Sequence, residues 1–286
     1  MTGVSVSSRS PAVSRRGLVG GTRPYAIYAL IRRDWRITRS YRTALLSDLT
    51  FGCLNLLVYY YISRTLKVSV KGGLDGAPSY FAFAAVGVSL SVVLQAAITG
   101  VSRRLREEQL TGTLEALYAQ PISGTELAVG LAGFPFLFAV FRAFVYLLIA
   151  GLLLGLSFAH CSWMGLVLSF LTTGLALGAV GVGLAALVLV FKRAEAVGAL
   201  GTFGMTLLGG AFFPARVLPH WIRPLADIVP TRFAFAAARG ALFGRSEWLS
   251  STVVLAGYAV GLGALSLALF SLALRHSVRR GTLNQY

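Results

Sequence analysis

Acidic side chains are scarce in this chain: ten Asp and Glu stand against 26 Lys and Arg in 286 residues. Charged residues of both signs make up 13% of it, where a soluble domain carries about 25%. That shortage excludes an ordinary water-soluble fold. Two cysteines, Cys53 and Cys161, exclude a disulfide scaffold and read as small hydrophobes. Three histidines, none clustered with cysteine or carboxylate, leave no metal site. No G-x-x-x-x-G-K-[ST] run is present to cradle a nucleotide triphosphate. No nucleophile, base and orienting group converge in the sequence, so no catalytic residue is assigned and the chain does not read as an enzyme. The basic residues of 1–23 lead into no apolar core, which excludes a cleaved signal peptide there; these residues read as a disordered cytoplasmic tail.

Apolar residues are what the chain has in quantity: 56% of it, with a mean hydropathy of +0.73. The runs reach about 20 residues, enough helix to cross roughly 30 Å of hydrocarbon. The expected fold is therefore an all-α membrane protein with six transmembrane helices, at about 44–63, 77–100, 128–156, 162–191, 194–213 and 250–274. The third and fourth runs exceed what a span needs, and Pro135 falls within the third. Of the basic residues, 17 fall in the terminal segments and inner turns that would face the cytoplasm and eight in the outer pieces, Arg239 among them, with Arg142 alone inside a span. This asymmetry predicts a multi-pass protein of the inner (plasma) membrane with both termini cytoplasmic. The formal charge of +16 then serves orientation and contact with anionic membrane lipid rather than nucleic acid, for which no soluble domain exists.

Three segments break the apolar pattern. Residues 24–42 have helical periodicity, with Ile27, Leu30, Ile31, Trp35 and Ile37 on one face and Arg32, Arg33, Arg36 and Arg39 on the other. They predict an amphipathic interfacial helix with its arginines toward lipid phosphates. Residues 103–123, RRLREEQLTGTLEALYAQPIS, form a compact charged insert between the second and third spans, with the composition of a short helix offered to a soluble partner. Residues 212–245 hold four prolines yet keep Phe213, Leu218, Trp221 and the FAFAA run at 233–237. They predict a re-entrant outer segment of short helical pieces between the fifth and sixth spans, shielded by protein. The domain plan is thus a tail (1–23), an interfacial helix (24–42), a six-span domain (43–275) and a second cytoplasmic tail (276–286).

Taken together, EEQLTGTLEALYAQPIS after the second span and GGAFFPARVLPHWIRPLADIVPTRFAFAAARGAL before the sixth resemble the ABC-2 family of transporter permeases. The inner motif falls on Glu107 or Glu108, Gly112-Thr113-Leu114-Glu115, Leu117 and Pro121-Ile122-Ser123. The outer motif falls on Gly210, Phe213-Pro214, Leu218-Pro219-His220-Trp221, Pro230-Thr231 and Arg239. The resemblance implies a membrane subunit without a motor of its own, paired with a separate ABC ATPase subunit that binds ATP and Mg, and with a second copy of itself. It also implies export of a drug, natural product or lipid-like molecule; a polysaccharide or lipid-linked glycan is the alternative within the family. An ion-coupled secondary transporter is the alternative from another class, and calls for buried acidic residues and inverted repeats that the chain does not clearly show.

Under that resemblance the insert becomes a cytoplasmic coupling helix, about 106–122, docking on the ATPase. Glu107 and Glu108 would start it, favouring its positive end. Gly112 would allow the turn out of the second span, and Leu114, Leu117 and Tyr118 would form the docking stripe. Pro121 would end the helix and Ser123 cap the next one. Glu107, Glu108, Gly112, Thr113, Leu114, Glu115, Leu117, Tyr118 and Pro121 are the expected partner-binding residues. Arg142 needs a carboxylate or carbonyl partner at its depth, with Asp48 and Glu195 as candidates. Phe51, Leu54, Arg142, Met205, Leu208, Phe212 and Phe213 are the expected substrate path, since the resemblance places the first and fifth spans near the symmetry axis of a dimer. A break in the chain is expected at Gly209-Gly210.

Overall fold

The computed structural model describes residues 24–40, 42–66, 73–113, 123–190 and 194–279. Leu114, Glu115, Leu117, Tyr118 and Pro121 lie outside them, as do the expected N-terminal tail and residues 280–286, while 276–279 of the expected C-terminal tail belong to the last helix. Every regular element among the described residues is helical: α1 (Pro24–Ser40), α2 (Arg42–Leu66), α3 (Tyr80–Leu110), α4 (Gly124–Leu154), α5 (Trp163–Val190), α6 (Ala194–Leu208), a 3-10 turn at Ala215–Val217, α7 (Arg223–Ile228), α8 (Pro230–Leu242) and α9 (Glu247–Arg279).

Four of these, α3, α4, α5 and α9, are long and apolar enough to cross a membrane. The expected first and fifth spans fall on α2 and α6, which do not meet that measure. α2 carries Asp48, Asn55 and the tyrosines Tyr59, Tyr60 and Tyr61. α6 has 15 residues, about 22 Å of helix at 1.5 Å per residue.

α3 is the centre of the bundle. It packs along α4 and α5, with α2, α6 and α8 against its remaining sides. Near its N-terminal end Ala82, Ala84, Ala85 and Gly87 are small buried positions between Phe81, Phe83 and Leu90, and Gly87 lets the Ala211 backbone come close. The α3–α5 approach depends on Gly181, where a Cβ would stand 2.1 Å from the Ala97 carbonyl oxygen. α9 closes the bundle against α5 and α8.

α3 runs ten residues past the expected end of its span. Val101, Leu105 and Gln109 continue its buried face, and Val101 and Leu105 cluster with Leu127 and Leu131 of α4, Val182 of α5 and Phe270 of α9. Glu107 and Glu108 therefore lie in the last turn of α3, not at the start of a new helix, which corrects the expectation. The chain turns out of α3 at Gly112, whose φ of +70° is left-handed backbone that glycine accepts without penalty. α4 then begins on a capping box: the Ser123 hydroxyl accepts from the Glu126 amide at 3.2 Å, and Glu126 accepts from the Ser123 amide at 2.7 Å.

α1 does not lie wholly on a lipid surface. Tyr25, Tyr28 and Ile37 are exposed, but Leu30 and Ile31 press into α4 at Gly130 and Gly133, and Trp35 meets Phe134 edge-on at 6.2 Å. At the other end of the bundle α8 is buried along most of its length between α5 and α9. α6 stops at Leu208 and the backbone turns at Gly210, φ +80°, where the break was expected.

Candidate functional site

Three polar assemblies occupy this frame, two at opposite ends of α3 and one between its neighbours. At the α3 terminus, Arg33 of α1 donates to Glu108 at 2.6 Å and to Asp34 at 3.2 Å. Arg104 pairs with Glu107 at 3.0 Å and approaches Asp34 at 3.8 Å. Asp34 is only 1% exposed, and Arg33 and Arg104 are the ion-pair partners that a carboxylate at such a depth needs. Burial works against the Arg33 charge, but Glu108 and Asp34 outweigh it and raise the Arg33 pKa above the ordinary arginine value. Thr113 donates to the Glu108 carboxylate, which ties residue 113 to the same web. Arg33 thus faces protein carboxylates rather than lipid phosphates, contrary to the expectation for the basic face of α1. Of the expected partner-binding residues, Glu107, Glu108, Gly112 and Thr113 are gathered at this root, immediately before residues 114–122.

Halfway along the bundle, Arg142 of α4 donates to Asp48 of α2 at 2.7 Å, and the Tyr146 hydroxyl donates to the Asp48 carbonyl at 2.9 Å. Gly52 makes this possible, since a Cβ there would overlap the Tyr146 ring at 2.0 Å. The pair lines a cavity of about 800 Å³ between α2, α3, α4 and α6, and a second of about 440 Å³ adjoins it. The two share Asp48, Gln95, Thr99, Arg103 and Arg142, and the smaller one reaches Arg104 and Glu107 of the web just described. The two cavities thus share part of their lining, and the smaller one touches the web at the α3 terminus.

Phe51, Arg142 and Phe212 of the expected path line the larger cavity. Leu54, Met205, Leu208 and Phe213 do not: Leu54 is exposed on α2, and Met205 packs against the core. Ser91, Gln95, Thr99 and Ser102 were missed. They recur at helical spacing on α3, a polar stripe inside an apolar run, and that periodicity was the signal that could have found them.

At the N-terminal end of α3, Arg239 of α8 is 2% exposed. Its Nη2 donates to the carbonyls of Gly210 (2.8 Å) and Ala211 (3.0 Å). Its guanidinium lies 3.4 Å over the Phe83 ring, and Asp75 stands 3.6 Å away. A helix that stops leaves carbonyls without amide partners; the amides of Gly209, Gly210 and Ala211 meet those of Met205, Leu207 and Thr206, and Arg239 takes the two carbonyls just beyond. Thr231 adds a bond to the Met205 carbonyl at 2.7 Å. Tyr59 stacks on Phe212 at 5.4 Å.

No curated protein matches the chain. A family model described as ABC-2 type transporter matches residues 25–243, from α1 to the end of α8, and so takes in the web, the cavity and the Arg239 site. Over three quarters of its length, then, the chain belongs to the ABC-2 type transporter family.

Proposed function

We propose that the chain is the permease subunit of an ATP-driven exporter that moves a hydrophobic or amphipathic molecule out of the cell. In this reading two copies assemble with two ABC ATPase subunits, which bind ATP and Mg and carry out the hydrolysis. α2 and α6 complete a six-span domain within the dimer, in the plasma membrane, with both termini in the cytoplasm. Residues 114–122 dock on the ATPase through Leu114, Glu115, Leu117 and Tyr118.

The observation that carries the reading is the contact between cavity and web. Arg104 and Glu107 belong to both, so a displacement of the α3 terminus is carried to the cavity wall by α3 itself. The web suits that task, because Arg33 and Arg104 keep 35% and 26% of their side chains exposed and can exchange carboxylate partners at modest cost. The re-entrant segment is assigned to the outer side, where Arg239 and Thr231 hold the break after α6 together.

The test is ATP-dependent uptake into inverted proteoliposomes containing the chain and its ATPase. Changing Glu115, Leu117 and Tyr118 together to Ala should abolish uptake while the chain still folds and dimerises. Uptake at the normal rate in that variant would overturn the coupling assignment.

A further inference from the structure

The charges around the cavity do not balance. Arg142 is answered by Asp48 and Arg104 by Glu107. Arg103, exposed on α3 and lining both lobes, has no carboxylate partner among the described residues. The Arg142 fork retains spare donors, since a guanidinium carries five N–H groups and Asp48 takes one, while its Nε is buried with no partner. The lining also includes an apolar and aromatic set: Phe51, Phe203, Phe212, Val88 and Val92.

We propose that the cargo received here is an amphipathic anion, its acidic group held by Arg103 and Arg142 and its apolar body laid against Phe51, Phe203 and Phe212. The proposal deepens the permease reading and rests on it. A cation would meet the excess positive charge. A neutral hydrophobe would cover Arg103 and the Arg142–Asp48 pair without replacing their hydration, which costs affinity. A carboxylate or phosphate monoester instead takes two parallel N–H bonds from a guanidinium. The volume of about 800 Å³ suits one small amphipath, falling within the roughly 300–1,000 Å³ of pockets that enclose drug-sized ligands.

The test uses the full chain in phosphatidylcholine nanodiscs and four dansyl-labelled probes of equal chain length: undecanoate, undecyl phosphate, methyl undecanoate and undecylamine. The two anions should bind at least about tenfold more tightly than the ester and the amine, the gain expected of one charge-assisted bidentate contact. Whichever anion binds better identifies the acid. Arg103→Gln should erase most of that preference and Arg103→Lys should keep most of it. The double variant Asp48→Asn/Arg142→Gln, which leaves no lone buried charge, should lower anion affinity and spare ester affinity. Equal binding of ester and anion, tighter binding of the amine, or a full anion preference in Arg103→Gln would overturn the assignment. ATP-driven accumulation of the same probes separates the two readings. Ester carried as fast as anion removes the anion assignment and leaves the permease. Selective anion binding with no ATP-driven transport of any probe removes the permease and leaves an anion site.

Discussion

Arg33 and Arg239 stand at opposite ends of α3 and are held in opposite ways. Arg33 is tied by carboxylates from its own helix and from α3, keeps 35% of its side chain exposed, and sits beside residues 114–122. Arg239 is tied mainly by backbone carbonyls and a ring face, with 2% exposed, and sits where α6 breaks. An arginine partly in water can release one carboxylate and take another. An arginine lodged among carbonyls fixed in a buried turn cannot, and acts as a peg. The end beside residues 114–122 is thus suited to movement, and the end beneath α7 and α8 to holding a shape.

Removing the peg should do the most damage. Arg239→Met leaves the Gly210 and Ala211 carbonyls unpaired and removes the contact with Phe83. Equilibrium unfolding in detergent should show a loss of about 3 kcal/mol or more. Arg239→Lys should recover only part of it, because an ammonium does not span two carbonyls and a ring. Next in size is Gly87→Ala. Its new Cβ would stand 2.0 Å from the Ala211 carbonyl oxygen, so α3 and the break must separate, at about 1–3 kcal/mol by the same measurement.

The Arg33 side of the comparison should be softer. A double-mutant cycle on Arg33→Ala and Glu108→Ala should give a coupling of about 1 kcal/mol, since Arg33 is partly in water, yet ATP-driven uptake should fall much further than stability does. A stability loss as large as that of Arg239→Met would erase the distinction between the two ends. The smallest effect is expected at Arg216, which reaches Asp75 and the Gly73 carbonyl from an exposed position. Arg216→Ala should cost about 0.5 kcal/mol or less in the same unfolding assay.

Much of this frame was legible in sequence where local pattern decides it. The long apolar runs marked α3, α4, α5 and α9 to within a few residues at most ends, Gly209-Gly210 marked the break, and Arg142 called for a carboxylate that Asp48 supplies. The misses share a cause: each depends on what lies opposite in space. Hydropathy falls at Arg103, so the second span was ended too early, although Val101, Leu105 and Gln109 continue one buried helical face. Arg239 reads as a surface charge until the carbonyls after α6 are placed beside it. Arg33 and Glu108 are 75 residues apart, and no periodicity links them. The cavity was half visible through Phe51, Arg142 and Phe212. The polar stripe on α3 passed unnoticed because single hydroxyls barely alter the hydropathy of a span.

The central claim is that ATP in the partner moves the α1–α3 end of this chain while the α6–α8 end travels as one body. The most direct measurement is a pair of spin-label distances in the assembled transporter, Thr38 to Leu110 across α1 and α3, and Leu207 to Arg232 across α6 and α8. Between the nucleotide-free and the vanadate-trapped states, the account predicts a change in the first distance and an unchanged second. A fixed first distance, or a second that changes as much as the first, would contradict it.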